Sequence, residues 1–285
     1  MTIETVGVVG AGTIGTGLAQ SLAATGHRVK LVDLSTGILD RALGQISRDL
    51  RLSRLFGSPP EQPSEAVLGR IEPAIDYGVL ARADIVVENV VEDWDVKREV
   101  YRRLDAVCAP GTVLAANTSC IPITRIAAQT GRPDRVIGMH FMNPVPLKPV
   151  IEMIRGEQTS ESTVNRAREL LAQMGKEGIL VNDSAGFVAN RVLMLAVNEA
   201  ACLVSEGVAE AAVVDRIFTS CVGHKMGMLE TADLIGLDTV LRSIEILHES
   251  FGDGRYRPCP LLRQLVAAGH LGRKSGQGFY TYPRG

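Results

Sequence analysis

Gly10-Ala11-Gly12-Thr13-Ile14-Gly15 spells G-x-G-x-x-G directly after the β-rich run Val6–Val9 and before a helical run that reaches Thr25. Placement constrains the fold here as much as spelling does. In a strand-turn-helix context the first glycine permits a tight turn, the second lets the backbone approach a pyrophosphate, and the third lets helix and strand pack closely. The phosphate then meets the positive end of the helix. A glycine-rich turn without a ligand is the plainer alternative. The expectation is a dinucleotide-binding βαβ unit with Gly10, Gly12, Thr13, Ile14 and Gly15 at the cofactor.

Asp33 ends the second β-rich run, about 20 residues into the motif, where a carboxylate accepts hydrogen bonds from the adenosine ribose. Its charge repels the extra phosphate of NADP, and Leu34-Ser35-Thr36 supplies no offsetting cation. NAD is therefore the expected cofactor. Asp33 is alternatively a strand-end helix cap.

The first half of the chain alternates short β-rich runs with helical patterns, the signature of a parallel sheet. The strands expected are Thr5–Val9, Arg28–Val32, Asp84–Glu88, Thr112–Ala116 and Arg135–Met139, with Pro149–Ile154 and Gly178–Val181 flanking a helix over Glu161–Met174. Continuous apolar runs such as Ile85-Val86-Val87 suit strands covered on both faces. Beyond Ser184 helical patterns dominate: Val188–Glu206, Glu210–Cys221, Leu237–Ser250 and Leu261–Ala268. The fold class expected is α/β, a Rossmann-type doubly wound parallel sheet over residues 1–183, followed by a second, all-helical domain over 184–285. A length of 285 residues suits two domains.

Thirty basic and 32 acidic residues give a net charge of -2 without long runs of one sign, which favours neither a nucleic acid nor a membrane partner. Cys108, Cys120, Cys202, Cys221 and Cys259 are scattered and form no C-x-x-C pair, so neither a disulfide framework nor a metal site is expected. Together with the absence of a signal-like N-terminus or a long uninterrupted apolar segment, this points to the cytoplasm.

Three segments each follow or end an expected strand: Asn117-Thr118-Ser119, the run Gly138–Pro146 containing His140 and Asn143, and Val150-Ile151-Glu152. Ligands of open α/β sheets bind beyond the carboxyl ends of the strands, so these segments can converge. Oxidising an alcohol needs a base for the hydroxyl proton as hydride leaves carbon, and histidine suits that work near neutral pH. Glu152 could orient His140 and stabilise its cation. Taken singly, His140 is more often a structural histidine than a base, and Ser119 and Asn190 could be helix caps rather than contacts to a substrate oxygen.

Together the segments resemble the 3-hydroxyacyl-CoA dehydrogenase family, including its short bacterial 3-hydroxybutyryl-CoA members, over essentially the whole chain. The resemblance is carried by the glycine loop, Val87-Glu88 through Lys97, the Asn-Thr-Ser run, HFMNPVP, GFVANR around Asn190, ADLIGLD at Ala232–Asp238, and GRKSGQGFY at Gly272–Tyr280. It implies His140 as acid/base, Glu152 as its partner, and Ser119 and Asn190 as contacts to the substrate oxygen. It also implies that Asp33, Glu92, Lys97, Ser119 and Asn143 lie around NAD, and Asn117 is grouped with them. Read alone, Lys97 and Glu92 would be solvated helix charges. The resemblance further implies that the helical domain shapes the acyl site and forms a homodimer.

The sequence departs from the family twice. No Lys or Arg occurs between Arg54 and Arg70, where the family supplies cations to the coenzyme A nucleotide, and Met228 stands where proline is common. With Thr231-Ala232-Asp233, these departures are similar to a branch that oxidises short polar groups such as glyceryl on acyl carrier protein. The expected substrate is thus a 3-hydroxyacyl thioester on acyl carrier protein, docked at Arg48, Arg51 and Arg54, with 3-hydroxybutyryl-CoA as the alternative. A sugar-acid dehydrogenase and a non-catalytic NAD-binding protein are further alternatives.

Overall fold

The computed structural model describes residues 2–55 and 62–283. β1 (Thr5–Val9) leads through the glycine turn into α1 (Thr13–Ala24), and β2 (Arg28–Val32), α2 (Thr36–Leu55), α3 (Ser64–Leu68) and β3 (Ile71–Ala74) follow. Next come β4 (Ile85–Glu88), α4 (Trp94–Val107), β5 (Val113–Ala116), α5 (Ile123–Ala127) and β6 (Val136–His140). The sheet is completed by β7 (Val150–Arg155), α6 (Glu161–Gln173) and β8 (Glu177–Asn182). The strand order is β3-β2-β1-β4-β5-β6-β7-β8. Every neighbouring pair is parallel except β6 and β7. This is the expected doubly wound sheet, whose order reverses between β1 and β4 and opens a crevice at their carboxyl ends.

The central strands are buried on both faces: no residue of β4 or β5 exceeds 1% exposure. Helices cover them through one stripe each. In α4 the residues Lys97, Tyr101 and Leu104, spaced by four and three, all face inward. Asp93 starts that helix by accepting the amides of Asp95 and Val96.

β3 was not foreseen. It is four residues long, contains Pro73 and lies at the sheet edge, where a proline costs no ladder hydrogen bond on the open side. Its sequence, Ile-Glu-Pro-Ala, carries little strand signal of its own.

The chain divides into two compact units, Met1–Ser184 and Ala185–Gly285. The second contains α7 (Ala189–Ser205), α8 (Ala211–Ser220), α9 (Met228–Ile235), α10 (Leu237–Phe251) and α11 (Pro260–Ala267). Among the described residues it has no strand, only isolated bridges joining Gly272, Gln277 and Thr281. α9 escaped the periodicity reading because it spans only eight residues between Gly227 and Gly236. The Asp215 carboxylate caps it from α8, accepting the amides of Leu229 and Glu230.

The terminal GRKSGQGFY segment wraps a second buried carboxylate. Asp233 accepts the amides of Phe279 and Tyr280 and the hydroxyl of Tyr282. A side chain at Gly278 would run into that carboxylate, its Cβ falling 2.0 Å from Oδ1. Burial raises the Asp233 carboxyl above its ordinary value, although these donors pull the other way.

Met228 has an explanation in the fold. It is the first residue of α9 and is buried in the core of the helical unit with Leu229, Val214 and Tyr256. Proline is favoured at that position because the first helical amide has no intrahelical partner. A methionine there exchanges that preference for packing in the core of the helical unit. No described helix is long and apolar enough to cross a membrane.

Candidate active site

The three glycines of the loop stand in different surroundings. Gly10 has φ +93°, and a Cβ there would lie 2.8 Å from the backbone of Asn89. At Gly15 a Cβ would come within 1.8 Å of the Gly10 carbonyl oxygen. At Gly12 it would meet nothing within 4 Å, so no protein atom accounts for that glycine. The open space lies at the N-terminus of α1, which has neither a side-chain cap nor an acidic residue in its first turn. Gly12 and Thr13 are exposed and Ile14 partly so. An uncapped helix start with room for close approach fits a pyrophosphate. Asp33 sits beside it: one carboxylate oxygen accepts the amide of Ala11 at 2.6 Å and the other accepts that of Leu34 at 2.6 Å. Each oxygen keeps acceptor capacity for a ribose hydroxyl.

The carboxyl ends of β4, β5 and β6 are tied together by buried polar groups. Lys97 donates to both carboxylate oxygens of Glu88, at 2.8 and 3.0 Å, and to the Asn117 carbonyl at 3.2 Å. Both side chains of the pair are fully buried, which corrects the solvated-charge reading of Lys97. Burial pushes the Glu88 carboxyl upward, against the Lys97 ammonium and the Val90 amide, which pull it down. Glu92 holds the turn after β5. One of its oxygens accepts the Thr118 hydroxyl at 2.6 Å and the amides of Ser119 and Cys120 at 3.0 and 2.8 Å.

That turn presents Ser119 to His140, the last residue of β6, with Oγ 3.2 Å from Nε2. On the other side Nδ1 lies 3.0 Å from Glu152 Oε2. The antiparallel register places His140 directly opposite Glu152. Directly opposed residues project to the same face with neighbouring Cβ atoms, so the sheet itself creates this contact. A carboxylate can only accept, which puts the Nδ1 proton toward Glu152 and leaves the Nε2 lone pair toward Ser119. His140 is 6% exposed.

Ser119, His140 and Glu152 are thus brought together by three consecutive sheet positions. Asn117 lies beside them, its Oδ1 accepting the Phe141 amide. Asn143 is exposed in the loop after β6. Asn190 belongs to the helical unit, in the first turn of α7. Three polar residues with clear local work drew no assignment from the sequence. Glu88 and Asn89 stand at the end of β4 and bond Lys97 and Asn117. Asp183 anchors the start of α5 through the Ile123 and Thr124 amides and the Thr124 hydroxyl. Only a polar residue directly after a buried apolar strand could have signalled the first two.

Comparison with known proteins gives the same frame. Residues 5–184 match the NAD binding domain of 3-hydroxyacyl-CoA dehydrogenase, and residues 186–282 match its C-terminal domain. A probable 3-hydroxybutyryl-CoA dehydrogenase of Bacillus subtilis is 45% identical over 282 residues, 99% of this chain and 98% of the relative. One from Deinococcus radiodurans is 47% identical over 276 residues, 97% of this chain and 99% of the relative. Among solved structures, the (S)-3-hydroxybutyryl-CoA dehydrogenase of Ralstonia eutropha superposes with a TM-score of 0.93 at 41% identity, covering 99% of this chain and 100% of its own. A glycine loop that accommodates a dinucleotide, a histidine between serine and glutamate, and full-length matches in both units agree: the chain belongs to the 3-hydroxyacyl-CoA dehydrogenase family, whose members are NAD-dependent oxidoreductases.

Proposed function

We propose that this enzyme interconverts a short 3-hydroxyacyl-CoA and the corresponding 3-oxoacyl-CoA, with a substrate of the 3-hydroxybutyryl type. The observation that carries the reading is the Ser119–His140–Glu152 relay at the carboxyl ends of β5 and β6. In the oxidative direction Nε2 of His140 takes the proton of the substrate 3-hydroxyl, and the imidazolium so formed is stabilised by Glu152. Ser119 donates a hydrogen bond to the same oxygen. Reduction returns the proton from Nε2 to the forming alkoxide. NAD, when bound, supplies the acceptor for the hydride leaving substrate C3. Gly10, Gly12, Thr13, Ile14, Gly15 and Asp33 would hold it, Glu92, Ser119 and Asn143 join them on the family resemblance, and Lys97, which the resemblance also places there, acts from behind through Glu88 and the Asn117 carbonyl. Asn190 enters as a substrate contact on its GFVANR motif alone.

Coenzyme A is preferred over acyl carrier protein as the carrier. The two bacterial relatives named above, which match along nearly their whole length, are probable 3-hydroxybutyryl-CoA dehydrogenases. Of the two departures that suggested a carrier protein, Met228 is a core residue of the helical unit. The other, the cation-poor loop Phe56–Pro63, lies outside the described residues over 56–61, as does the Arg54 side chain. Arg48 and Arg51 are exposed on α2 and available to an anionic nucleotide. The deciding assay follows NADH absorbance with one acetoacetyl group on coenzyme A, on N-acetylcysteamine and on carrier protein. Highest kcat/KM on coenzyme A supports the proposal, and equal or better turnover on carrier protein restores the other reading. A homodimer is proposed with it, supported by the exposed apolar side chains Val192, Val213 and Ile217 of α7 and α8. A monomeric mass in sedimentation would remove that part.

A further inference from the structure

His140 lies beyond the end of the β5–β6 ladder. That ladder pairs Leu114, Ala115 and Ala116 with Val136, Ile137 and Gly138 and goes no further. On the β7 side the strand remains paired as far as His140 and Glu152. On the β5 side the Asn117 side chain holds the main chain just past β6, its Oδ1 accepting the Phe141 amide at 3.0 Å.

Asn117 is itself bonded at every main-chain and side-chain polar group. Its Nδ2 donates to Asn89 Oδ1 at 2.8 Å, its amide donates to the Glu88 carbonyl at 2.9 Å, and its carbonyl accepts Lys97 at 3.2 Å. Asn89 in turn donates to the Val87 carbonyl at 3.0 Å. The side chain therefore joins the ends of β4, β5 and β6, and it needs both an acceptor and a donor to do so. An asparagine amide offers both, on two separate atoms and without a charge.

We propose that Asn117 is a positioning residue for the His140 imidazole rather than a ligand of the cofactor, a proposal that rests on His140 being the acid/base. It holds the end of β6 at the height where Nε2 faces Ser119, and the buried Glu88–Lys97 pair stiffens it from below. A displacement of about 1 Å at a reacting group costs about 10²-fold in rate.

The test measures NADH oxidation with acetoacetyl-CoA as probe, NADH affinity by fluorescence, and thermal unfolding, for Asn117→Ala, Asn117→Asp, His140→Gln and the double variant Asn117→Ala/His140→Gln. Asn117→Ala should lower kcat about 10²-fold while the NADH dissociation constant moves less than about threefold. In the His140→Gln background the same change should cost less than about threefold, because residues acting as one unit are not additive. Asn117→Asp keeps the acceptor for Phe141 but loses the donor to Asn89, and should recover part of kcat. The proposal is overturned if Asn117→Ala weakens NADH binding as much as it slows turnover, if its cost is the same in both backgrounds, or if Asn117→Asp is no better than alanine. Should the alanine variants fail to fold, Asn117→Asp against wild type decides by the same split between kcat and NADH affinity. Wild-type turnover by His140→Gln would instead remove the acid/base reading, and this proposal with it.

Discussion

Glu88 and Lys97 form an ion pair that no solvent reaches, with Nζ 2.8 Å from Oε1 and both side chains at 0% exposure. Breaking such a pair from one side strands a charge, which typically costs about 3–5 kcal/mol, whereas removing both charges together costs far less. Lys97→Met should therefore lower stability to denaturant by about that amount. Glu88→Gln combined with Lys97→Met should recover much of the loss. A Lys97→Met protein within about 1 kcal/mol of wild type would show that the pair is not the isolated unit it looks to be.

His140→Gln removes the proton acceptor while preserving much of the side-chain volume. Turnover should fall roughly 10²–10⁴-fold with NADH still bound. Glu152→Gln should lower it less, since the imidazole remains and loses only its orientation and the stabilisation of its cation. Rapid-mixing measurement of the hydride step checks both, and retained single-turnover rates in His140→Gln would refute the assignment.

Cofactor choice is expected to reside at Asp33 and its neighbour. Leu34 is 88% exposed and follows a carboxylate that faces the glycine loop through the Ala11 amide. Asp33→Ala with Leu34→Arg should relax the preference for NAD over NADP by removing a repulsion and adding a phosphate donor. The ratio of kcat/KM for the two cofactors is the measurement. A wild-type enzyme indifferent to the 2′-phosphate would refute the argument at its first step.

Tyr282 makes the terminal strap sensitive to alkali. Burial and the neighbouring Asp233 carboxylate push its phenol up to about 12 from its ordinary value of 10.0. The folded state thus holds the phenol proton more tightly than the unfolded chain does. Its contribution to stability is complete below about pH 10 and is lost as pH rises toward about 12. Tyr282→Phe should flatten the fall in denaturation midpoint across that window. An unchanged alkaline profile would mean that the Tyr282–Asp233 hydrogen bond has no part in it.

Much of this was legible in the chain because it rests on short-range rules. The glycine loop, Asp33 and the buried apolar strands follow from spacing and composition, and seven of the eight strands lie where their apolar runs suggested. β3 was hidden because its proline is tolerated only at an edge, and an edge is a property of the sheet. Glu88 and Lys97 were hidden for a related reason. Nine residues apart in sequence, they become partners only when α4 folds back over β4; Glu88 ended an expected buried strand and Lys97 was placed near NAD by resemblance, and neither reading pairs them. Glu92 and Asn117 read as candidate cofactor contacts, while the structure reveals their hydrogen bonds to the turn that carries Ser119 and to the strand that carries His140.

β7 runs against β6, and the chain between His140 and Glu152 includes an exposed proline-containing loop. The spacing of the proton-transfer pair is thereby set by ladder register, not by the length of the connection. The exposed positions between the two residues could vary without parting the pair as long as the ladder kept its alignment, while Val145, buried in the core, anchors the middle of the connection. A slip of one position within the ladder would turn Glu152 to the opposite face. The geometry of the proton-transfer pair is thus insulated from variation at the exposed positions between its two members.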